Sequence, residues 1–408
     1  MLNSELEAVT YLRSPPAIRE RTAILFDLVQ SGASRHFTLY LDKLNGVVAR
    51  VHREIMDNYP TLDVPYHSRW RHFSMGGIDR AELLTQQLSG ASPRDAARAK
   101  LELAIVSVLL DAGAGDGWRF MEPGATSSYS RSEGLAIASL HAFLEGVFGD
   151  EVCTVCADKL ISFTPETLEK AFQVTPRNSL LGVQGRAALL QALGRVIRSR
   201  PEIFGEGNAR LGNIVDLIAP EGSKEPVHAG EVLQHVLEVF SPIWPGRVSL
   251  AGVNLGDVWR HSQIVTNDSS NGLVPFHKLS QWLTYSLLEP LVELGIPVIG
   301  VDELTGLAEY RNGGLFLDGG VLQLRNPEVG AISQAPSSEL IVEWRALTVQ
   351  LLDLVATRLR ETLGLTPETL PLAKVLQGGT WSVGRKLAFE RRANGNPPLS
   401  ILSDGTVF

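Results

Sequence analysis

The sequence predicts a mainly α fold, a multi-helical body with a few short β-strands. Three observations carry that expectation. A hydroxyl residue is followed directly by proline at Ser14-Pro15, Ser92-Pro93, Thr164-Pro165 and Thr366-Pro367. That pair suits a helix start, because the first amides of a helix lack intrahelical partners and proline has no amide to waste. Apolar residues then follow at helical spacing. Strand-like runs are few, short and not interleaved with the helices as a parallel sheet requires.

Taken in chain order, Ser14-Pro15-Pro16 opens AIRERTAILFDLVQ, which Gly32 closes. Leu41, Leu44, Val48, Val51 and Ile55 predict a helix within 37–58. Ser92-Pro93 opens a helix that turns strongly apolar in LELAIVSVLLDAG. Ser130 and Glu133 fit a capping box ahead of GLAIASLHAFLEGVFG. Thr164-Pro165 opens ETLEKAFQV, and further helices are expected over 184–198, 230–240 and 276–294. The longest is expected over 337–364, and Thr366-Pro367 opens one last helix. Strands are expected over 297–301, 315–324 and 398–401, with loops near 112–128 and 205–224. The chain reads as one helical unit over 1–408, divisible at the second loop into 1–205 and a part with the minor β over 225–408.

Composition narrows the function. A chain of 408 residues with 44% hydrophobic and 20% charged residues builds a full core. A net charge of -8 argues against nucleic-acid binding, which needs a basic face. Two cysteines, Cys153 and Cys156, make no disulfide framework and suit a reducing cytoplasm. Their lone C-x-x-C has no second pair to complete a zinc site and reads as two small residues at a helix boundary. The polar, acidic N-terminus carries no signal peptide, and no apolar run approaches the about 20 residues that span a bilayer. A soluble cytoplasmic protein without a membrane partner is expected.

The chemistry is expected between Gly252 and Asp318, where acids and rings interrupt apolar helix-forming sequence: Asp257, Trp259, His261, His277, Trp282, Tyr285, Glu289, Glu303, Glu309, Tyr310 and Arg311. Burying so many carboxylates without partners is costly, whereas acids beside rings suit proton transfer on a bound sugar or base. Trp282, Tyr285 and Glu289 share a helix face, a stripe more often core than pocket. Gly313-Gly314 reads as a turn between Glu309-Tyr310-Arg311 and a strand LFLD, with Glu309 and Arg311 equally readable as a local ion pair. Earlier in the chain, Tyr66-His67-Ser68-Arg69-Trp70-Arg71-His72-Phe73 suits a planar anion as well as it suits a packed loop. Asp111 lies near a helix C-terminus, a poor place for a carboxylate, and Trp118 follows it across a glycine-rich loop. Arg385, Lys386, Arg391 and Arg392 form a basic stretch before an apolar tail, which reads as a docked phosphate binder or a solvated helix face. No catalytic triad, zincin motif or nucleophile elbow is present, and no convincing metal-ligand cluster.

The runs VPYHSRWRHF, GVNLGDVW, FHKLSQWLTYSLLEPL, LTGLAEYRNGGLFLD, VEWRALTV and ERRANGNPPLSILSDGTVF resemble, across essentially the whole chain, the uracil-catabolism family of a pyrimidine degradation route that does not begin with ring reduction. A more distant similarity is to the queuosine-salvage nucleotide N-glycosylases, whose helical fold is related to DNA glycosylases. In that family an Asp-rich helix end with a downstream Trp matches Asp111 and Trp118, an Ala-Asp-Thr-Trp block matches Gly256-Asp257-Val258-Trp259, and a Glu-Ile-Arg block matches Glu343-Trp344-Arg345. An Ala-Asp-Tyr-Arg block matches Leu283-Thr284-Tyr285-Ser286 by distance and Ala308-Glu309-Tyr310-Arg311 by residue type.

The two resemblances imply an N-glycosidase that releases urea from a ribosylurea phosphate, with no cofactor and no metal. They imply Asp257 or Glu309 as the carboxylate that stabilises the oxocarbenium and handles the water proton. His67, Arg69 and one of Arg345 or Arg385 would hold the phosphate, and Trp118 and Trp282 would wall the leaving group. His72, Trp259, Tyr285, Tyr310 and Arg311 complete the candidate pocket for a small phosphorylated nucleoside-like substrate. The alternatives are a metal-assisted ring or amide hydrolase of the same route and a non-catalytic binder of a pathway intermediate or partner enzyme.

Overall fold

The computed structural model describes residues 4–111, 113–115, 117–207, 209–244 and 247–402. It is 56% helical, and its strands form only two-stranded pairings, the mainly α fold that the sequence predicts. The hydroxyl-proline signatures work as caps at three of their four places. Ser14 accepts the amide of Ala17 at 3.3 Å, Ser92 that of Asp95 at 3.1 Å and Thr164 that of Thr167 at 3.2 Å. Each hydroxyl satisfies an amide that the helix cannot.

Several expectations are corrected. Thr366 pairs locally with Thr369, and the last helical stretch begins only at Leu372, after Pro371. Ser130 does precede helix Arg131–Leu144, but its side chain caps nothing, because Arg131 takes φ 56 and turns the chain at that point. The helix expected over 37–58 begins at Leu44, and Phe37–Leu39 instead pairs antiparallel with Leu322–Leu324. Of the strand expected over 315–324, Leu315 to Asp318 end helix Tyr310–Asp318 and only Leu322–Leu324 is a strand. The glycine pair Gly313-Gly314 lies inside that helix rather than in a turn. A Cβ at Gly313 would stand 2.7 Å from the Trp344 ring, so these glycines serve close packing. Of the strand expected over 398–401, one bridge from Ile401 to Gln334 remains. The loop near 112–128 contains the hairpin Phe120–Met121 and Ser128–Tyr129, and that near 205–224 contains the short helix Ile214–Ile218.

Contacts divide the described chain into two compact units. The first gathers residues 4–67, 247–281 and 300–402 around the 25-residue helix Glu339–Leu363, which Ser338 caps and Gly364, at φ 67, ends. Its apolar side, including Leu347, Leu351, Leu352 and Val355, packs against helices Pro15–Gln30, Leu44–Asn58 and Tyr310–Asp318. The second gathers residues 68–244 and 282–299 around the apolar helices Pro93–Leu109, Arg131–Leu144 and Val183–Ser199. There Gly194 lets Val183–Ser199 approach Ala157–Ile161, since a Cβ would stand 2.8 Å from the Ile161 amide nitrogen. Cys156 precedes helix Ala157–Ile161 without capping it through its side chain, and both cysteines are buried and form no disulfide. No helix among the described residues is long and apolar enough to cross a membrane.

Candidate functional site

Eight of the sequence-predicted residues fall in the first unit. Asp257 precedes strand Val258–Arg260, which pairs with Leu273–Pro275. Its carbonyl accepts the Phe276 amide at 3.0 Å, and its carboxylate accepts the Lys278 amide at 2.9 Å, where helix Lys278–Glu293 begins. Arg345, buried on helix Glu339–Leu363, forks onto both oxygens at 2.7 and 2.8 Å, and Trp259 donates its indole N–H at 2.6 Å. Each oxygen of Asp257 thus accepts two hydrogen bonds, the capacity of a carboxylate. Burial works to raise its pKa, but the Arg345 charge and these donors outweigh it and hold the group well below the usual carboxylate range. Arg345 spends its Nε on the Ala308 carbonyl at 3.1 Å and stands over the Phe276 ring at 4.0 Å. It therefore ties Asp257 to the segment that carries Glu309.

Glu309 is in a different state. It caps helix Tyr310–Asp318, accepting the amides of Arg311 at 2.7 Å and Asn312 at 2.6 Å, one on each oxygen. The expected ion pair with Arg311 is not what holds it: the Arg311 guanidinium donates to the Gly395 carbonyl at 2.7 Å and lies over the Tyr310 ring at 5.0 Å. Burial pushes the Glu309 carboxyl up, against the opposing pull of the two amides and of the Lys278 and Arg311 charges. Tyr310 is exposed beside it.

His67 faces Gln377, with Nδ1 3.1 Å from the amide oxygen, and its ring lies 6.5 Å from that of Trp381. Desolvation, reinforced by the Lys278 charge, lowers its pKa to about 4, so the ring is neutral at pH 7. Arg385 stands over Trp381 at 5.6 Å. Lys278 is close enough to bias both Glu309 and His67 electrostatically, and sequence reasoning missed it. The signal was its place beside His277 at a helix start. Gln377 had no signal, because its role depends on helix packing alone. His277, buried, is a core residue bonded to the Leu12 carbonyl at 2.8 Å.

The other predicted residues lie in the second unit. Arg69 is fully buried. It donates to Ser107 at 2.6 Å, pairs with Asp111 at 3.1 Å and stands over the Trp282 ring at 5.5 Å. His72 meets Trp282 edge-on at 5.7 Å, and Asp111 accepts the Ser132 hydroxyl at 2.9 Å. Arg69, His72, Asp111 and Trp282 therefore form one cluster. Tyr285 is buried, and Glu289 on the same helix accepts from Ser68 and Arg71. Trp118 is in the core, stacked on Phe172 and donating to the Phe172 carbonyl at 2.9 Å. Of the basic stretch, Lys386 pairs with Glu54 at 2.5 Å and Arg392 with Asp318 at 2.5 Å. Ala112, Asp116 and the tail 403–408 lie outside the described residues. Among the described residues no cluster of three or more His, Cys, Asp and Glu side chains is placed to hold a metal.

This helical chain matches one family model over residues 11–408 and belongs to that family, described as Protein of unknown function (DUF1688). Two relatives cover nearly the full length. Protein urg3 of Schizosaccharomyces pombe is 39% identical over 418 residues, covering 98% of this chain and 99% of its own. Uracil catabolism protein 4 of Lachancea kluyveri is 36% identical over 438 residues, covering 98% of this chain and 99% of its own.

Proposed function

We propose that this chain acts in uracil catabolism as an N-glycosyl hydrolase, cleaving ribosylurea 5-phosphate to urea and ribose 5-phosphate. The pathway rests on the relative named Uracil catabolism protein 4, aligned over almost the whole chain. The observation that carries the chemistry is the contrast between the two acids of the first unit. Asp257 has its acceptor sites filled and its proton affinity suppressed. Glu309 keeps one acceptor site on each oxygen and has its proton affinity raised. A base matched to neutral pH needs the second state.

In this reading the ribosyl C–N bond breaks with its electron pair going to nitrogen, and water oxygen bonds to the anomeric carbon. Glu309 takes one proton from that water, and the departing nitrogen gains one, so water adds across the bond. Negative charge on Glu309 stabilises the oxocarbenium. Lys278 supplies the cation beside it. Asp257 and Arg345 position the reacting segment and touch no reacting atom. Purified protein incubated with ribosylurea 5-phosphate should release urea and ribose 5-phosphate in equal amounts, and Glu309→Gln should slow release by about 10²-fold or more. Absence of turnover would sink the activity, and turnover that Glu309→Gln does not slow would sink the assignment of the base.

A further inference from the structure

The second unit holds a cleft of about 570 Å³ that is lined by none of the residues placed in the candidate site. Its walls come from four elements. Hairpin strand Phe120–Met121 brings Phe120, helix Arg131–Leu144 brings His141, helix Ala157–Ile161 brings Lys159 and helix Pro165–Ala171 brings Lys170. Phe163 lies on the wall between the last two helices. Both lysines are exposed, and neither has a hydrogen-bond or ion-pair partner among the described residues. Glu145 lines the same cleft, so two unpartnered ammonium groups from separate helices against one carboxylate leave it net positive in a chain of net charge -8.

The His141 ring is held in place from behind. His141 Nε2 lies 3.0 Å from Glu122 Oε1, and fully buried Arg80 grips both Glu122 oxygens at 2.7 and 2.6 Å. Arg80 in turn donates to the Met75 carbonyl at 2.7 Å. The Arg80 hydrogen bonds keep the Glu122 carboxyl below its ordinary range, so Glu122 stays ionised and makes Nε2 the donor. A buried ion pair of this sort is expensive and is a weak source of stability, but it does fix an imidazole in one orientation. Phe120 lies against that imidazole, with ring centres 5.9 Å apart and planes tilted by 33°. Phe163 is held by stacking on Phe148 at 5.8 Å. The cleft therefore combines a fixed imidazole and two exposed cations with two phenylalanine rings that are themselves buried in its wall.

We propose that this cleft is a second small-molecule site, which binds an organic phosphate of nucleoside monophosphate size. Lys159 and Lys170 meet the phosphate, and His141, in a wall backed by Phe120 and Phe163, meets the planar base. The volume lies within the roughly 300–1,000 Å³ typical of small-molecule sites. The full-length protein is titrated by calorimetry with uridine monophosphate, adenosine monophosphate and inorganic phosphate. One nucleotide should bind saturably, more weakly as salt is raised, and more tightly than inorganic phosphate. The double variant Lys159→Gln/Lys170→Gln should lose about 10-fold or more in affinity, the effect of removing charged contacts to phosphate. Glu309→Gln should bind as the parent does, and the lysine variant should release urea at the parental rate. The two readings therefore fail separately. Absence of saturable binding, or affinity unchanged in the lysine variant, would overturn the site. Equal affinity for inorganic phosphate would overturn the nucleotide assignment.

Discussion

Asp257 and Glu309 are buried acids of one unit whose surroundings drive their protons in opposite directions. Substitution separates them. Asp257→Ala leaves the Arg345 guanidinium buried without its acid, and breaking such a pair costs about 3–5 kcal/mol. Denaturant titration should show that loss. Glu309→Gln keeps an oxygen to cap one amide, so its stability cost should stay near 1 kcal/mol, while urea release falls by about 10²-fold or more. If the two variants lose stability equally, the division of roles is wrong. The cysteines make a plainer case: burial pushes the Cys153 thiol up to about 11, so native protein at pH 8 should resist alkylation by iodoacetamide there. An unusual wealth of acids was legible at residue level. Which acid is free to take a proton was not, because Asp257 is saturated by an arginine 88 positions away.

Helix starts were legible wherever the cap is a local matter of one hydroxyl and one amide, as at Ser14, Ser92 and Thr164. They failed where neighbours intervene, as at Ser130 and Thr366. The pair Gly313-Gly314 shows the stronger effect. By local rules glycine there marks a turn, yet both residues are helical, and the Trp344 ring occupies the space a side chain at Gly313 would need while Pro398 crowds Gly314. Gly384 plays the same part on helix Trp381–Arg391, where a Cβ would collide with the Arg311 carbonyl oxygen. Alanine is favoured over glycine in an isolated helix by about 1 kcal/mol. Here overpacking should win: Gly384→Ala should destabilise by about 1–3 kcal/mol and lower the melting temperature. A higher melting temperature would show that the helix pair can separate at no cost.

For the whole molecule, the same electrostatics set the pH response. The folded-state pKa of His67 is depressed from 6.5 to about 4, so the unfolded chain binds more protons between those values. The contribution of His67 is therefore complete above pH 6.5 and is lost as pH falls toward 4. Asp257, also depressed, adds a loss below its unfolded value of 3.8. Glu102 and Glu309 act in the opposite sense: burial raises both, so their contribution is complete below 4.5 and is lost as pH rises through their folded values. Unfolding free energy measured from pH 8 to pH 4 should fall across the histidine window, and His67→Gln should flatten that fall. An unchanged slope in the variant would remove His67 from the account.

By itself the sequence determined that the chain is helical, that it carries a site-like stretch of acids and rings between Gly252 and Asp318, and which family it resembles. These follow from periodicity, local capping and residue type, all of which act over a few positions. Only the tertiary structure decided that Asp257 is a filled anchor, that Glu309 caps a helix with acceptor capacity to spare, and that Lys278 stands beside it. The physical reason is that a carboxylate's proton affinity is set by burial and by donors that meet it in space, and those donors come from residues far away along the chain.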